Sequence, residues 1–317
     1  MTDTEHVIAA NEGQPVGTPS LTLAGEGEEL PQHGVGRFVP RWFRILWENS
    51  KSRAGLIILA IFVLSAIFAP LITPYDPSAS VGLPNETPSR DHWLGTTQAG
   101  EDVYSKLIYG SRVSLTVGLL AGGLVTIIGV LIGLTAGYVG GIVDDILSFF
   151  INLLMVVPTL PLIITVAAYS PVRGLLPIVL ILGLTGWAWG ARTKRAQVLS
   201  LRERDFITAA IFAGEPTWRI IVREIMPNMT SLIVAAFIGA AAGAIGAEAG
   251  LQFIGVGDLD SNSWGTMLYW ANNSGAMLTG QWGWLIAPGL ALALLMTALT
   301  LINFGIDALS NPHLREE

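Results

Sequence analysis

Residues 202–228 read RERDFITAAIFAGEPTWRIIVREIMPN, a polar stretch set between two apolar runs long enough to cross a bilayer. Residues 206–212 predict a short helix with Asp205 as its N-cap, and Gly214 followed by Pro216 is a stop signal. Residues 217–225 predict a second helical turn or two, with Trp218, Ile221 and Ile225 on one side and Arg219 and Arg223 on the other, closed by Pro227. Such a compact helix–turn–helix pair between spans has two readings. It is a knob for another protein to grip, or an amphipathic surface linker.

The rest of the chain is built for lipid. Of 317 residues, 51% are hydrophobic and 13% charged, and the mean hydropathy is +0.57. Soluble domains carry about 25% charged residues, so the composition is that of an integral membrane protein. The chain has no Cys, which excludes disulfides and thiolate metal sites. His6, His33, His92 and His313 are scattered without ligand spacing. The net charge of −7 owes much to residues 1–36, which are rich in Gly, Pro and Glu, aperiodic and predicted to be disordered. They lack the basic and apolar regions of a signal peptide, and no nucleic-acid partner is expected.

Residues 37–53, with Trp42, Phe43, Leu46 and Trp47 beside Arg37, Arg41 and Arg44, read as an amphipathic helix at the interface or as an extension of the first span. Six spans are expected: 54–72, 114–137, 142–168, 175–191, 229–250 and 284–304, since about 20 apolar residues cover the hydrocarbon thickness. A polar loop fills 73–112. Of the 17 Lys and Arg, thirteen fall before span one, in 192–223 or at Arg315, and four (Arg90, Lys106, Arg112, Arg173) lie on the opposite side. The asymmetry predicts a multi-pass plasma-membrane protein with both termini and the 202–228 loop in the cytoplasm.

Small residues fill spans two and five, which predicts close helix packing in the bundle or at a subunit interface. Pro158 and Pro161 predict a kink in span three, either a bend lining a pathway or a tolerated transmembrane proline. Asp144 and Asp145 read as solvated at a membrane edge. Glu248 is the one acid near a span with a claim to a pathway role, and no mid-span residue looks like a proton or sodium relay. There is no phosphate-binding loop and no nucleophile–base pair. A transporter with this sequence must draw energy from another subunit. The competing classes are a self-sufficient channel or carrier and an intramembrane enzyme.

Thr208-Ala209-Ala210, Gly214 and Ile225-Met226-Pro227 resemble the "EAA" loop of ABC importer permeases, which docks on the ATPase. Thr208 stands where that family usually has Glu. His92-Trp-Leu-Gly-Thr-Thr-Gln-Ala-Gly-Glu101-Asp102 with Tyr109-Gly-Ser-Arg-Val-Ser-Leu, Glu248-Ala-Gly-Leu-Gln-Phe-Ile-Gly-Val-Gly257 with Ser263-Trp264-Gly265, and Asn311-Pro312-His-Leu-Arg315 are similar to the dipeptide/oligopeptide branch over about residues 40–315. The resemblance implies an all-α membrane protein of the type I importer permease fold. Its five-helix core would lie at 113–309, with a cytoplasmic tail at 310–317.

The resemblance further implies the C-type subunit of a heterodimeric permease, with two ATP-binding subunits and an extracytoplasmic solute-binding protein as partners. ATP and Mg would be bound by those ATPases, and no cofactor by this chain. Coupling would fall to Asp205, Phe206, Thr208, Ala209, Ala210, Gly214, Arg219, Arg223 and Pro227. Pathway candidates are Glu248, Pro158, Trp187 and Trp264. Peptides are the expected solute. Glu101 and Thr208 in place of the usual Arg and Glu also resemble an oligosaccharide-importing branch, and Trp187, Trp189, Trp282 and Trp284 would suit sugar stacking or an interfacial aromatic belt.

Overall fold

A computed structural model describes residues 41–170, 172 and 174–310. The tail at 1–36, Arg37, Arg173 and the Asn311–Arg315 motif lie outside the described residues. The helices are α1 (Arg41–Glu48), α2 (Ser50–Ile67), α3 (Ala69–Ile72), α4 (Val103–Val139), α5 (Gly141–Val156), α6 (Thr159–Tyr169), α7 (Leu175–Thr185) and α8 (Trp187–Arg202). They continue with α9 (Asp205–Phe212), α10 (Thr217–Arg219), a π-helical turn (Ile220–Ile225), α11 (Met226–Asn228), α12 (Thr230–Phe253), α13 (Trp264–Asn273) and α14 (Trp282–Ser310). No named strand occurs among the described residues. Five helical segments are long and apolar enough to cross a membrane, and a sixth span results if the bent pair α5–α6 counts as one.

α4 is the axis of the bundle. It runs parallel to α8, with Gly129, Gly133 and Gly137 meeting Ala191, Lys194 and Val198 in the same order, and crosses α12; glycines set both contacts. A Cβ on Gly133 would stand 2.6 Å from the Ala191 carbonyl oxygen, and one on Gly122 would stand 2.7 Å from the Ala241 Cα. These are backbone-to-backbone approaches that only Gly permits. α2 and α14 also meet closely, with Gly55 against the Ala298 carbonyl and Gly305 against the Ser52 side chain.

Several helix ends differ from the sequence expectation, each for a local reason. α4 begins at Val103, inside the expected 73–112 loop, because Asp102 caps it by accepting from the Ser105 amide at 2.7 Å. α8 runs on to Arg202, past the expected end at residue 191, so Arg192, Lys194 and Arg195 are helical rather than loop residues. α1 is a separate helix and not an extension of the first span, since Asn49 caps α2 by accepting from the Lys51 and Ser52 amides. α2 stops at Phe68, where Arg112 of α4 donates to the Ala66 and Ile67 carbonyls that the helix end leaves free.

The third expected span is broken outright: α5 and α6 are bent by 88°. Pro158 forces Val157 into extended backbone (ψ 126°) and ends α5. Pro161 falls in the first turn of α6, where a missing N–H costs nothing. Two prolines therefore make one break.

Candidate functional site

The 202–228 stretch folds as two short helical pieces at the end of the bundle where α4, α8 and α14 finish and α12 begins. Arg204, in extended backbone, is the N-cap of α9, and its side chain makes no capping bond. Asp205 is not the cap but the first helical residue, where its charge favours the helix N-terminus. The other end is a Schellman motif: Gly214 takes φ +76°, the Glu215 amide reaches the Ala210 carbonyl, and the Gly214 amide reaches that of Ile211.

Only Ile207 of α9 is buried, at 0% exposure. It sits in a cluster with Leu134 of α4, Val198 of α8, Ile220 and Ile225 of the π turn, and Met229. The π winding decides which residues of the second piece face inward. Five residues nearly complete such a turn, so Ile220 and Ile225 align and are buried, while Trp218 is exposed and Ile221 only packs at the side. The expected inward face of Trp218, Ile221 and Ile225 assumed α-helical spacing. The wide turn sits just before Pro227, whose ring would otherwise strike the Arg223 carbonyl.

What remains outside is an apolar knob. Phe206, Thr208, Ala209, Ile211, Phe212, Gly214 and Trp218 are exposed, Phe212 at 86%. Arg219 stacks on Trp218 at 5.6 Å and pairs with Glu215 at 2.7 Å, Ala210 packs against the buried cluster, and Arg223 is exposed. Asp144 is not merely solvated: Arg195 grips it with two bonds at 2.5 and 2.6 Å and ties α5 to α8 beside the knob.

A groove of about 510 Å³ opens along the other side of α8. One wall is the small-residue face of α12, including Gly239, Ala240, Gly243 and Ala244. The opposite wall comes from α4, α7, α8 and the start of α6, with Trp189 exposed on it.

The family described as "Binding-protein-dependent transport system inner membrane component" matches residues 129–316, and the "N-terminal TM domain of oligopeptide transport permease C" matches 41–90. The chain belongs to this permease family. It is similar to the oligopeptide transport system permease protein OppC of Bacillus subtilis, 31% identical over 94% of this chain and 97% of that protein. It is also similar to the dipeptide transport system permease protein DppC of the same organism, 34% identical over 86% and 85%. A solved inward-facing structure of the MetNI methionine ABC transporter aligns with TM-score 0.51 at 20% identity, covering 65% of this chain and 94% of that one. That likeness shows the fold, which is the type I importer permease fold. The protein is therefore a multi-pass inner-membrane permease subunit.

The permease does not bring the expected pathway residues together. Trp187 is buried against Ile151 and Ala191, and Trp264 is a core anchor, 1% exposed, with its indole N–H on the Leu107 carbonyl at 2.8 Å. Neither presents a ring for stacking. Glu248 is fully buried where α12 meets α13. Pro158 is exposed next to Thr159, which lines the groove. Two groove residues, Lys194 and Asn303, were invisible to the sequence reading. The signal for Lys194 was its spacing of four residues from Gly190, within a run that also holds Arg192 and Arg195.

Proposed function

We propose that this permease is the C-type member of a heterodimeric pair that imports peptides across the inner membrane, driven by two ATPases and supplied by an extracytoplasmic binding protein. The knob on α9 is the point where an ATPase grips it, in the cytoplasm together with both chain termini. The observation that carries the reading is the arrangement of α9: one fully buried residue, Ile207, roots it in the bundle, while Phe206, Ala209, Ile211 and Phe212 stand exposed. Exposed apolar area of this kind marks a protein contact. The thirteen-to-four excess of Lys and Arg supports its placement inside the cell, and the oligopeptide and dipeptide names of the relatives support peptides as the solute.

ATP-driven closure of the ATPases would displace α9 and, through the cluster around Ile220 and Ile225, move α8 and α12 as rigid bodies. The test is Ala209→Asp in the full reconstituted transporter. Ala209 is exposed, so the carboxylate costs the fold little but is desolvated on docking. ATP-dependent uptake should fall at least about tenfold, with membrane insertion and thermal stability retained. Uptake at the normal rate removes the coupling role.

A further inference from the structure

Lys194 is 1% exposed and lines the groove between α12 and α8, yet its only acceptor among the described residues is the Gly190 carbonyl at a long 3.3 Å. No carboxylate among the described residues pairs with it, although Arg195, the next residue, has Asp144. Asn303 of α14 lines the same groove, and its buried Oδ1 accepts from nothing among the described residues. Buried cations are normally paired, and here an unpaired cation and an unpaired acceptor meet the same cavity.

Their position is informative. Lys194 lies midway along α8, eleven residues before α9, and is the last α8 residue to line the groove; Asn303 lies late in α14. Both therefore occupy the α9 end of the groove. The remaining lining is apolar or small, with Ile163, Leu182, Gly239 and Gly243 along its length. An apolar trough with a cation at one end suits a chain of varied side chains that always ends in the same anion.

Building on the peptide reading, we propose that Lys194 receives the C-terminal carboxylate of a peptide in transit. Its Nζ donates to the carboxylate, and Asn303 Oδ1 accepts from a peptide backbone N–H. The permease thereby reads the one group every linear peptide shares and leaves side-chain sequence unread.

The test uses the complete transporter in proteoliposomes and one peptide in two forms, free acid and C-terminal amide. Uptake of both is measured in wild type and in Lys194→Met. The binding protein's own preference is common to both and cancels in the ratio of ratios. The free-acid to amide ratio should fall at least about tenfold in Lys194→Met, chiefly through loss of free-acid transport. Asn303→Asp, which sets a negative charge against the carboxylate, should shift the ratio the same way, and it decides the matter if Lys194→Met does not assemble. An unchanged ratio overturns the proposal. So does an equal loss for both forms, which would make Lys194 the counter-ion of an acid on the second permease or a purely structural residue. Absence of uptake of either form by wild type is a different result, and sinks the peptide reading itself.

Discussion

α4 and α12 are both rich in glycine, and they use it in opposite ways. On α4, Gly118, Gly122, Gly129, Gly133 and Gly137 each meet a neighbouring helix so closely that an added Cβ would lie 3.3 Å or less from another atom. On α12, a Cβ at Gly239, Gly243 or Gly250 would meet nothing within 4 Å among the described residues. The first pattern holds three helices together. The second leaves a smooth wall along the groove. Composition is the same in the two, and only the neighbours distinguish packing glycine from lining glycine.

The contrast can be broken most forcefully at Gly133→Leu. The added side chain has the Ala191 backbone and the Lys194 stem in its way, and overpacking should cost about 3 kcal/mol. A collapsed unfolding temperature in detergent, or loss of folded protein, is the expected reading. A similar division runs through α9. Ile207→Ala should cost about 2–4 kcal/mol, because it leaves a cavity in a cluster fed by four elements. Phe212→Ala, five residues away in sequence but on the exposed side, should change stability by less than about 0.5 kcal/mol while lowering the ATPase rate stimulated by loaded binding protein. Equal unfolding midpoints for these two variants would refute the division into root and knob. The smallest effect is expected at Gly243→Ala, where nothing opposes the methyl group. Helix propensity then favours Ala by about 1 kcal/mol, so the unfolding midpoint should rise slightly, opposite in sign to any alanine that must be forced into α4.

Much of this architecture was legible in the sequence because spans are set by length and hydropathy, and lipid tolerates few alternatives. The runs at 229–250 and 284–304 became α12 and α14 with small changes at their ends. Polar helix termini were harder to see. Arg192 and Arg195 resembled loop residues because their polarity is met across helices, Arg195 by Asp144 and Arg192 by the Met155 sulfur, whereas Lys194 bonds only within its own helix among the described residues. The start of α4 was marked by Asp102 three residues before Ser105, a capping signal hidden in a stretch read as loop. The face of residues 217–225 was misread because a π turn cannot be inferred from α-helical spacing. The burial of Trp187 and Trp264 was hidden for a plainer reason: an aromatic residue in a membrane protein looks the same in a sequence whether it fills the core or lines a cavity.

One buried isoleucine roots α9, and the rest of its surface touches little of its own chain. Residues free of intramolecular duties can drift without endangering the scaffold. On the proposed coupling role, a surface built this way would let a lineage change its choice of ATPase by a few substitutions on one short helix, leaving the transmembrane machinery inherited intact.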